Sequence, residues 1–285
     1  MATRPTSARE IAAALSDAPE DEALVLMERY AEDPRKQVQH AIAAARKRIE
    51  RAVAERDRVH GMYSLMREMG GEGIVVGVDE VGRGSIAGPL TVGAVALPDE
   101  PEILGLNDSK QLTPERREAL AAQIADVALA IGICHVEPAS IDAVGMAQAL
   151  RMAMAGAIED TGVDPDCVLI DGNPMHVHPK EKTLVKGDAR IACIAAASIV
   201  AKVTRDSMMV AYDEEYPGYH LAQCKGYASA EHIAAIKEKA SRPFTASPSV
   251  ATFWRLHRSS ERPFSTIPGL MARRMRLAAT SSGHF

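Results

Sequence analysis

At 285 residues the chain has room for one large domain or one domain with an appendage, and 47% apolar residues suffice for a sizeable core although aromatics make up only 4%. A net charge of −5 excludes a globally basic nucleic-acid binder, so attraction to a polyanion has to come from local patches. No charge-free apolar stretch reaches membrane-spanning length, "MATRPTSARE" has no signal core, and Cys134, Cys167, Cys193 and Cys224 form no C-x-x-C pair; the expectation is a cytoplasmic protein, off the membrane, without disulfides or structural zinc.

Residues 1–70 read as a helical extension. In "DPRKQVQHAIAAARKRIERAVAERDRVHGMYSLMREM", Val38, Ile42, Ile49 and Val53 recur at helical spacing, while Arg46, Lys47, Arg48, Arg51, Arg56 and Arg58 crowd the charged face. From Gly73 the pattern changes to short β-rich runs alternating with helical stretches, which marks a domain over 71–239. "IVVGVD" and "LTVGAVAL", parted by a glycine-rich turn, are neighbouring strands. "TPERREALAAQIADVALA" is a helix with Thr113 at the N-cap and Pro114 at its first position. "IGICHVE" is a strand, and "PASIDAVGMAQALRMAMAGAIED" is one helix begun by Pro138. "CVLID" is a short apolar strand ending in an acid, and "KTLVKGD" is another strand. "ARIACIAAASIVAKVTRDSMMVAY" is a long alanine-rich helix, followed by a shorter one in "SAEHIAAIKEK". Hairpin-like strands first and alternating strands and helices later predict an α/β sheet with helices on its faces.

Three strand ends or following loops carry acids: Asp79 with Glu80 in "GIVVGVDEVGRGSIAGPL", Asp171 in "LIDGN" and Asp188 in "KGDAR". Ligand sites in open α/β sheets gather at the carboxyl ends of strands. Four carboxylates in one place cannot all stay ionised unless cations share the site. Two Mg2+ or Mn2+ ions suit such hard oxygen ligands. Held about 3.5–4 Å apart, two such ions activate a water and stabilise the leaving oxygen of a phosphodiester. A lone acid at a strand end is ordinarily a solvated turn residue, whereas three of them, each with glycine close by, point to a metal site. Successive strand residues face opposite ways. Either the strand therefore ends between Asp79 and Glu80, or Glu80 contributes through its backbone carbonyl, with Asp79 the expected central ligand.

Gly82, Arg83 and Gly84 follow at once, a turn whose amides and arginine favour an anion, or simply a tight turn. No dinucleotide or nucleotide-phosphate loop motif occurs. Lys110 in "LNDSKQL" stands before a helix, as a phosphate contact or part of a capped loop. Ser198, Lys202, Arg205 and Asp206 share a helical face; Lys202 and Arg205 can meet phosphates, or pair with Asp206. Tyr227 in "CKGYAS" offers a stacking platform or a half-buried core ring. His176 and His178 have metal-like spacing but no partners and read as loop residues.

Assembled in this order, "GVDEVGRGSIAGPL", "GLNDSKQLT", "VLIDGN", "KGDARIACIAAASIVAKVTRD" and "HLAQCKGYASAEH" resemble the bacterial ribonuclease HII family, type 2 ribonucleases H that cut the RNA strand of RNA–DNA hybrids. The resemblance implies a ribonuclease H-like fold, a mixed five-stranded sheet flanked by helices, preceded by the N-terminal helical extension of longer members. It implies Asp79, Glu80, Asp171 and Asp188 as the catalytic, metal-binding carboxylates for two Mn2+ or Mg2+ ions. Gly82, Arg83 and Gly84 then correspond to the motif that reads the 2′-hydroxyl at an RNA–DNA junction, and Tyr227 to the tyrosine on the sugar of the following deoxynucleotide. Lys110, Ser198 and Lys202 fall among the substrate-binding positions. The implied substrates are RNA–DNA hybrids and duplex DNA with single embedded ribonucleotides, cut by a monomer to leave 3′-hydroxyl and 5′-phosphate ends.

Two readings stay open beside it: another ribonuclease H-fold nuclease such as a junction resolvase, indifferent to a ribose, and a catalytically impaired hybrid-binding protein. The second gains weight from the C-terminus. After "SAEHIAAIKEK" the family pattern implies a continuation similar to Gly-Leu-Ser-Pro-Ile-His-Arg-Val-Thr-Phe, but the chain reads "ASRPFTASPSVATFWRLHRSSERPF". Synonymous codons for Ala240 to Ser249, with one G placed ahead of them, encode that continuation. The expectation for 240–285 is a disordered tail, out of frame through the loss of one nucleotide, which the gene sequence near codon 240 would reveal.

Overall fold

The computed structural model describes residues 7–240, and the chain divides into two compact units with the boundary between His60 and Gly61. The tail expected over 240–285 lies outside the described residues, apart from the backbone of Ala240.

The first unit is helical. Helix α1 (Ala8–Asp17) opens on a reciprocal cap, in which the Ser7 hydroxyl accepts from the Glu10 amide and the Glu10 carboxylate from the Ser7 amide. Helix α2 (Glu20–Arg29) places Glu20, Asp21 and Glu22 in its first turn, where the helix dipole favours negative charge. Helix α3 (Lys36–Gly70) supplies Val38, Ile42, Ala45 and Ile49 to a core shared with Ile11, Leu15, Ala23 and Leu26. Val53, expected on the same stripe, is exposed. Arg48 donates to the Leu15 and Ala18 carbonyls, Arg56 pairs with Glu20 and Arg58 with Glu55. Half of the expected charged face is thus engaged inside the unit.

The second unit is the α/β domain. Its strands are β1 (Val75–Val81), β2 (Leu90–Ala96), β3 (Ala130–Val136), β4 (Cys167–Asp171) and β5 (Glu181–Leu184), in the order β3-β2-β1-β4-β5. The β3-β2-β1 half is antiparallel and the β1-β4-β5 half parallel, the mixed sheet expected. Helix α4 (Pro114–Val127) starts as expected, with the Thr113 hydroxyl accepting from the Arg116 amide. The single helix read from Pro138 is in fact two, α5 (Pro138–Val144) and α6 (Met146–Asp160), because Gly145 takes φ 81° and ends one before starting the next. The "KTLVKGD" strand is also shorter than expected, stopping at Leu184 before a 3-10 turn over Gly187–Ala189. Helix α7 (Ala192–Glu215) follows, then α8 (Leu221–Cys224) and α9 (Ala230–Ala240). No helix among the described residues is long and apolar enough to cross a membrane, and all four cysteines are free thiols.

The strands bury both faces, so their runs are nearly continuous in apolar residues. Val76 and Val78 pack with Leu150, Ala153, Met154 and Ala157 of α6. The opposite face meets α7, which approaches so closely that a Cβ at Gly77 would strike the Cys193 and Ile194 backbone, and one at Gly93 the Ala197 carbonyl. From Ala192 to Ala201 every α7 residue is buried. A helix apolar all round belongs in an interior, and here its small side chains let the backbone lie almost on the sheet.

Candidate active site

Strand β1 runs through Asp79 and Glu80 without a break, in register with Gly93 and Val92 of β2. The reading in which the strand ends between the two acids is therefore incorrect. Alternation puts Asp79 on the α7 face with Gly77, and Glu80 on the α6 face with Val78. Asp79 is 5% exposed and accepts from the Glu80 amide at 2.8 Å and from the Ser198 hydroxyl of α7. Ser198 in turn stands 2.9 Å from the Ser109 hydroxyl, also buried. With its own proton on Asp79, Ser198 must accept from Ser109, which completes a hydroxyl chain under the carboxylate.

The parallel register pairs Val78 with Ile170, so one further step brings Asp171, the last residue of β4, beside Asp79. The Asp171 carboxylate accepts from the Gly187 amide at 2.6 Å, which pins the turn carrying Asp188 to the end of β4. Burial pushes Asp79 up to about 8, the Ser198 bond pulling against it and the charges of Glu80 and Asp171 adding to the rise. Burial also raises Glu80, against the pull of Arg83. Asp188 is raised by burial and by the charges of Asp108 and Asp171. Among the described residues no three His, Cys, Asp or Glu side chains are gathered tightly enough to hold an ion as they stand. Asp79, Asp171 and Asp188 therefore lie near one another at one end of the sheet without closing into an ion site, while Glu80 turns to the other face beside Arg83.

Around the acids the segment Gly82 to Pro89 folds back on the turn Lys225 to Tyr227. The Ile86 and Ala87 amides both donate to the Gly226 carbonyl, at 2.8 and 3.1 Å. Gly82, at φ 96°, and Gly226, at φ 79°, use backbone angles that other residues rarely adopt. Arg83 is exposed, 3.5 Å from Glu80, and Tyr227 is partly exposed. Lys110 is exposed at the edge of the group, its charged form favoured by Asp108, Asp79 and Asp188 despite partial burial.

On α7 one residue departs from both of its sequence readings and another takes the second of its two. Arg205, read as a phosphate contact or a partner of Asp206, is 0% exposed and donates to neutral oxygens inside the fold. Lys202 takes the alternative weighed for it, an ion pair with Asp206 at 2.7 Å, with its ammonium 5.7 Å from the centre of the Tyr227 ring. Ser198 is buried beneath Asp79 and reaches the site only through that carboxylate. Ser109, which the sequence offers with Asp108 and Lys110 as a phosphate contact or part of a capped loop, is buried against Ser198. Nothing in the sequence marks Arg117, whose guanidinium donates to the Ser109 and Leu112 carbonyls and stands 3.9 Å from Asp206. A signal was present for Ser198 and Arg205: polar residues inside a helix that is otherwise apolar all round must be partnered within the core. His176 and His178 are loop residues as expected, and it is their amides that matter, donating with those of Met175 and Val177 to the Glu181 carboxylate.

With this geometry in view, the family model for ribonuclease HII matches residues 76–257, and that for the ribonuclease HII N-terminal domain matches residues 7–69. The ribonuclease HII of Lachnoclostridium phytofermentans is 44% identical over 76% of this chain and 85% of its own. That of Solibacter usitatus is 46% identical over 63% of this chain and 80% of its own. Among solved structures, the ribonuclease H2 from Pyrococcus horikoshii OT3 superposes with a TM-score of 0.55 at 24% identity, covering 72% of this chain and 99% of that one. A ribonuclease HII from Archaeoglobus fulgidus, solved in complex with PCNA, gives a TM-score of 0.53 at 25% identity, covering 67% and 98%.

Proposed function

The chain belongs to the ribonuclease HII family, a family of ribonuclease H endonucleases, and from that premise we propose that it hydrolyses the RNA strand of RNA–DNA hybrids and cuts 5′ to single ribonucleotides in duplex DNA. The observation that carries this reading is the convergence of Asp79, Asp171 and Asp188 at one end of the sheet, with Asp79 and Asp188 raised by burial, next to Gly82–Gly84 and Tyr227. The donor set is all oxygen, carboxylates with one backbone carbonyl, and the exposed Lys110 at its edge offsets only part of the charge, which fits Mg2+ or Mn2+. Asp79, Asp171 and Asp188 would hold the ions through their carboxylates, with Glu80 contributing its backbone carbonyl from the far side of β1. Bound divalent ions supply acidity to a water and neutralise charge building on the phosphate.

The remaining work falls to residues of the chain. Water attacks the phosphorus in line as its bond to the upstream O3′ breaks, and that oxygen leaves as a 3′-hydroxyl, the phosphate staying on the ribonucleotide's 5′ side. Ser198 holds Asp79 in one orientation during this exchange. Gly82, Arg83 and Gly84 read the 2′-hydroxyl, the atom that tells RNA from DNA, and Tyr227 packs on the neighbouring sugar. Lys110 meets the phosphate backbone, and Lys202, although paired with Asp206, adds to the positive field there, so binding is salt-dependent. The enzyme works as a monomer in the cytoplasm. The test is a duplex with one ribonucleotide, incubated with Mg2+ or Mn2+, beside an all-DNA duplex and an all-DNA four-way junction. Cleavage of the first alone is expected. Equal cleavage of the junction would favour a resolvase, and none of any substrate would favour an impaired hybrid binder.

A further inference from the structure

Arg205 carries the full charge of a guanidinium at 0% exposure, and its acceptors are neutral oxygens on two separate segments. Its Nε donates to the Pro89 carbonyl at 2.8 Å, and one terminal nitrogen donates to the Ala87 carbonyl at 3.0 Å and the Ser85 hydroxyl at 2.9 Å. The other terminal nitrogen donates to the Lys225 carbonyl at 2.7 Å. The Ser85 hydroxyl in turn donates to the Gly82 carbonyl at 2.8 Å. A hydrogen-bonded path therefore leads from α7 into the Gly82 turn, while a second branch of the same planar group holds the turn that carries Tyr227. The guanidinium carbon also lies 5.6 Å from the centre of the Tyr227 ring. Packing is equally tight: a Cβ on Gly82 would strike Arg205 Nε, and one on Gly226 would strike the Ala87 carbonyl.

A buried charge without a carboxylate partner is expensive, and an apolar side chain would anchor α7 to its neighbours at less cost. What an apolar side chain cannot do is fix the carbonyls of two loops in one plane, which is what a rigid fork of five donors does. We infer that Arg205 is a positioning residue that couples the Gly82–Gly84 loop to the Tyr227 turn, so that selection of an RNA–DNA junction depends on a side chain that never meets the nucleic acid. This rests on the reading in which that loop contacts the ribose and Tyr227 the sugar that follows.

The test uses the full chain and two substrates, a duplex with a single ribonucleotide and a continuous RNA–DNA hybrid, and reads the ratio of their kcat/KM values. Arg205→Lys keeps the charge and loses the fork; Ser85→Ala removes only the hydroxyl link and leaves the cation its other acceptors. Arg83→Ala and Tyr227→Ala report on the underlying reading. Arg205→Lys is expected to lower the ratio about tenfold and Ser85→Ala about threefold, the scale of coupling inside one hydrogen-bond network. Combined with Tyr227→Ala, Ser85→Ala should then add little further loss. Amide exchange of Ile86 and Ala87, which donate to Gly226, should quicken in both variants before any substrate is added. If Arg205→Lys does not fold, Ser85→Ala alone decides. Unchanged ratio and unchanged exchange in the Ser85 variant, alongside a lowered ratio in Arg83→Ala and Tyr227→Ala, overturn the coupling and leave the reading standing. An unchanged ratio in Arg83→Ala and Tyr227→Ala overturns the reading, and the coupling with it.

Discussion

Asp79 is held at the end of β1 by two donors, and burial keeps its carboxyl far above the usual aspartate range. Asp79→Asn removes a charge that burial already disfavours while leaving the Ser198 and Glu80 amide contacts a partner. The variant is therefore expected to keep or slightly raise its thermal stability while losing about 10²–10³-fold in turnover, the scale of losing one group from a preorganised electrostatic site. Calorimetry beside a cleavage assay at saturating Mg2+ checks both halves, and retention of more than about a tenth of wild-type turnover would count against the metal assignment. Glu181 presents the opposite case. Burial raises it, but amides from the loop before it outweigh that and hold it below its ordinary value of 4.5. A depressed folded value stabilises above the unfolded pKa and is lost as pH falls through the folded one. Glu181→Gln should thus lower the melting temperature at neutral pH, and the gap to wild type should close in acid, below the ordinary glutamate range. A gap independent of pH would mean that the carboxylate's charge does not hold the loop.

These residues differ in how plainly the sequence announced them. Asp79 and Asp171 each close an apolar run and Asp188 follows one in a glycine turn, so the pattern was visible in one dimension. Glu80 was half visible: period-two alternation raised the difficulty, but only pairing through to Val81 shows that the strand does not end between the acids. Arg205 was misread because helical spacing groups it with Lys202 without saying which way each points. Its acceptors come from positions 85–89 and 225, and no local pattern reports contacts over such separations.

At the scale of elements, the contact between α7 and the sheet sets the site. Gly77 and Gly93 remove the side chains that would otherwise stand between helix and strands, which lets Ser198 come under Asp79. Gly77→Ala would force a methyl group into the Cys193 and Ile194 backbone, and overpacking of this kind costs about 1–3 kcal/mol or more. Chemical denaturation should show that loss, and activity should fall further than stability because Asp79 loses its partner. A stable variant with full activity would mean that α7 can withdraw without disturbing the carboxylate. The break at Gly145 teaches a milder lesson: the apolar spacing of α5 and α6 reads as one continuous helix, and only the backbone angle separates them.

For the molecule as a whole, the helical unit ahead of the sheet is the part whose role is least tied to the carboxylates. Arg46, Lys47 and Arg51 remain exposed and form no ion pair among the described residues. If they meet phosphates, deletion of residues 1–60 should weaken hybrid binding and flatten the dependence of log affinity on log salt by about 2–3. An unchanged slope would identify the unit as a solvated arm. The cut belongs at 60, because Tyr63 and Met66 are core residues of the second unit and the Tyr63 hydroxyl accepts from the Ile103 amide.

Helix α7 has a consequence for how the protein comes apart. Its first ten residues are all buried, and it bears both Ser198, under the carboxylates, and Arg205, under the loops. Proteins open piecemeal, from fraying ends to cooperative blocks that part only with the whole fold. An element so enclosed belongs to the last block. Native-state hydrogen exchange should find the amides of 196–205 released only at the free energy of global unfolding, whereas those of 83–85 open far sooner. Chemistry and specificity would then both hang from the slowest-melting segment of the chain, and heating should leave no interval in which the domain is folded but its acids are dispersed. Early release of the 196–205 amides would show that the centre can loosen by itself.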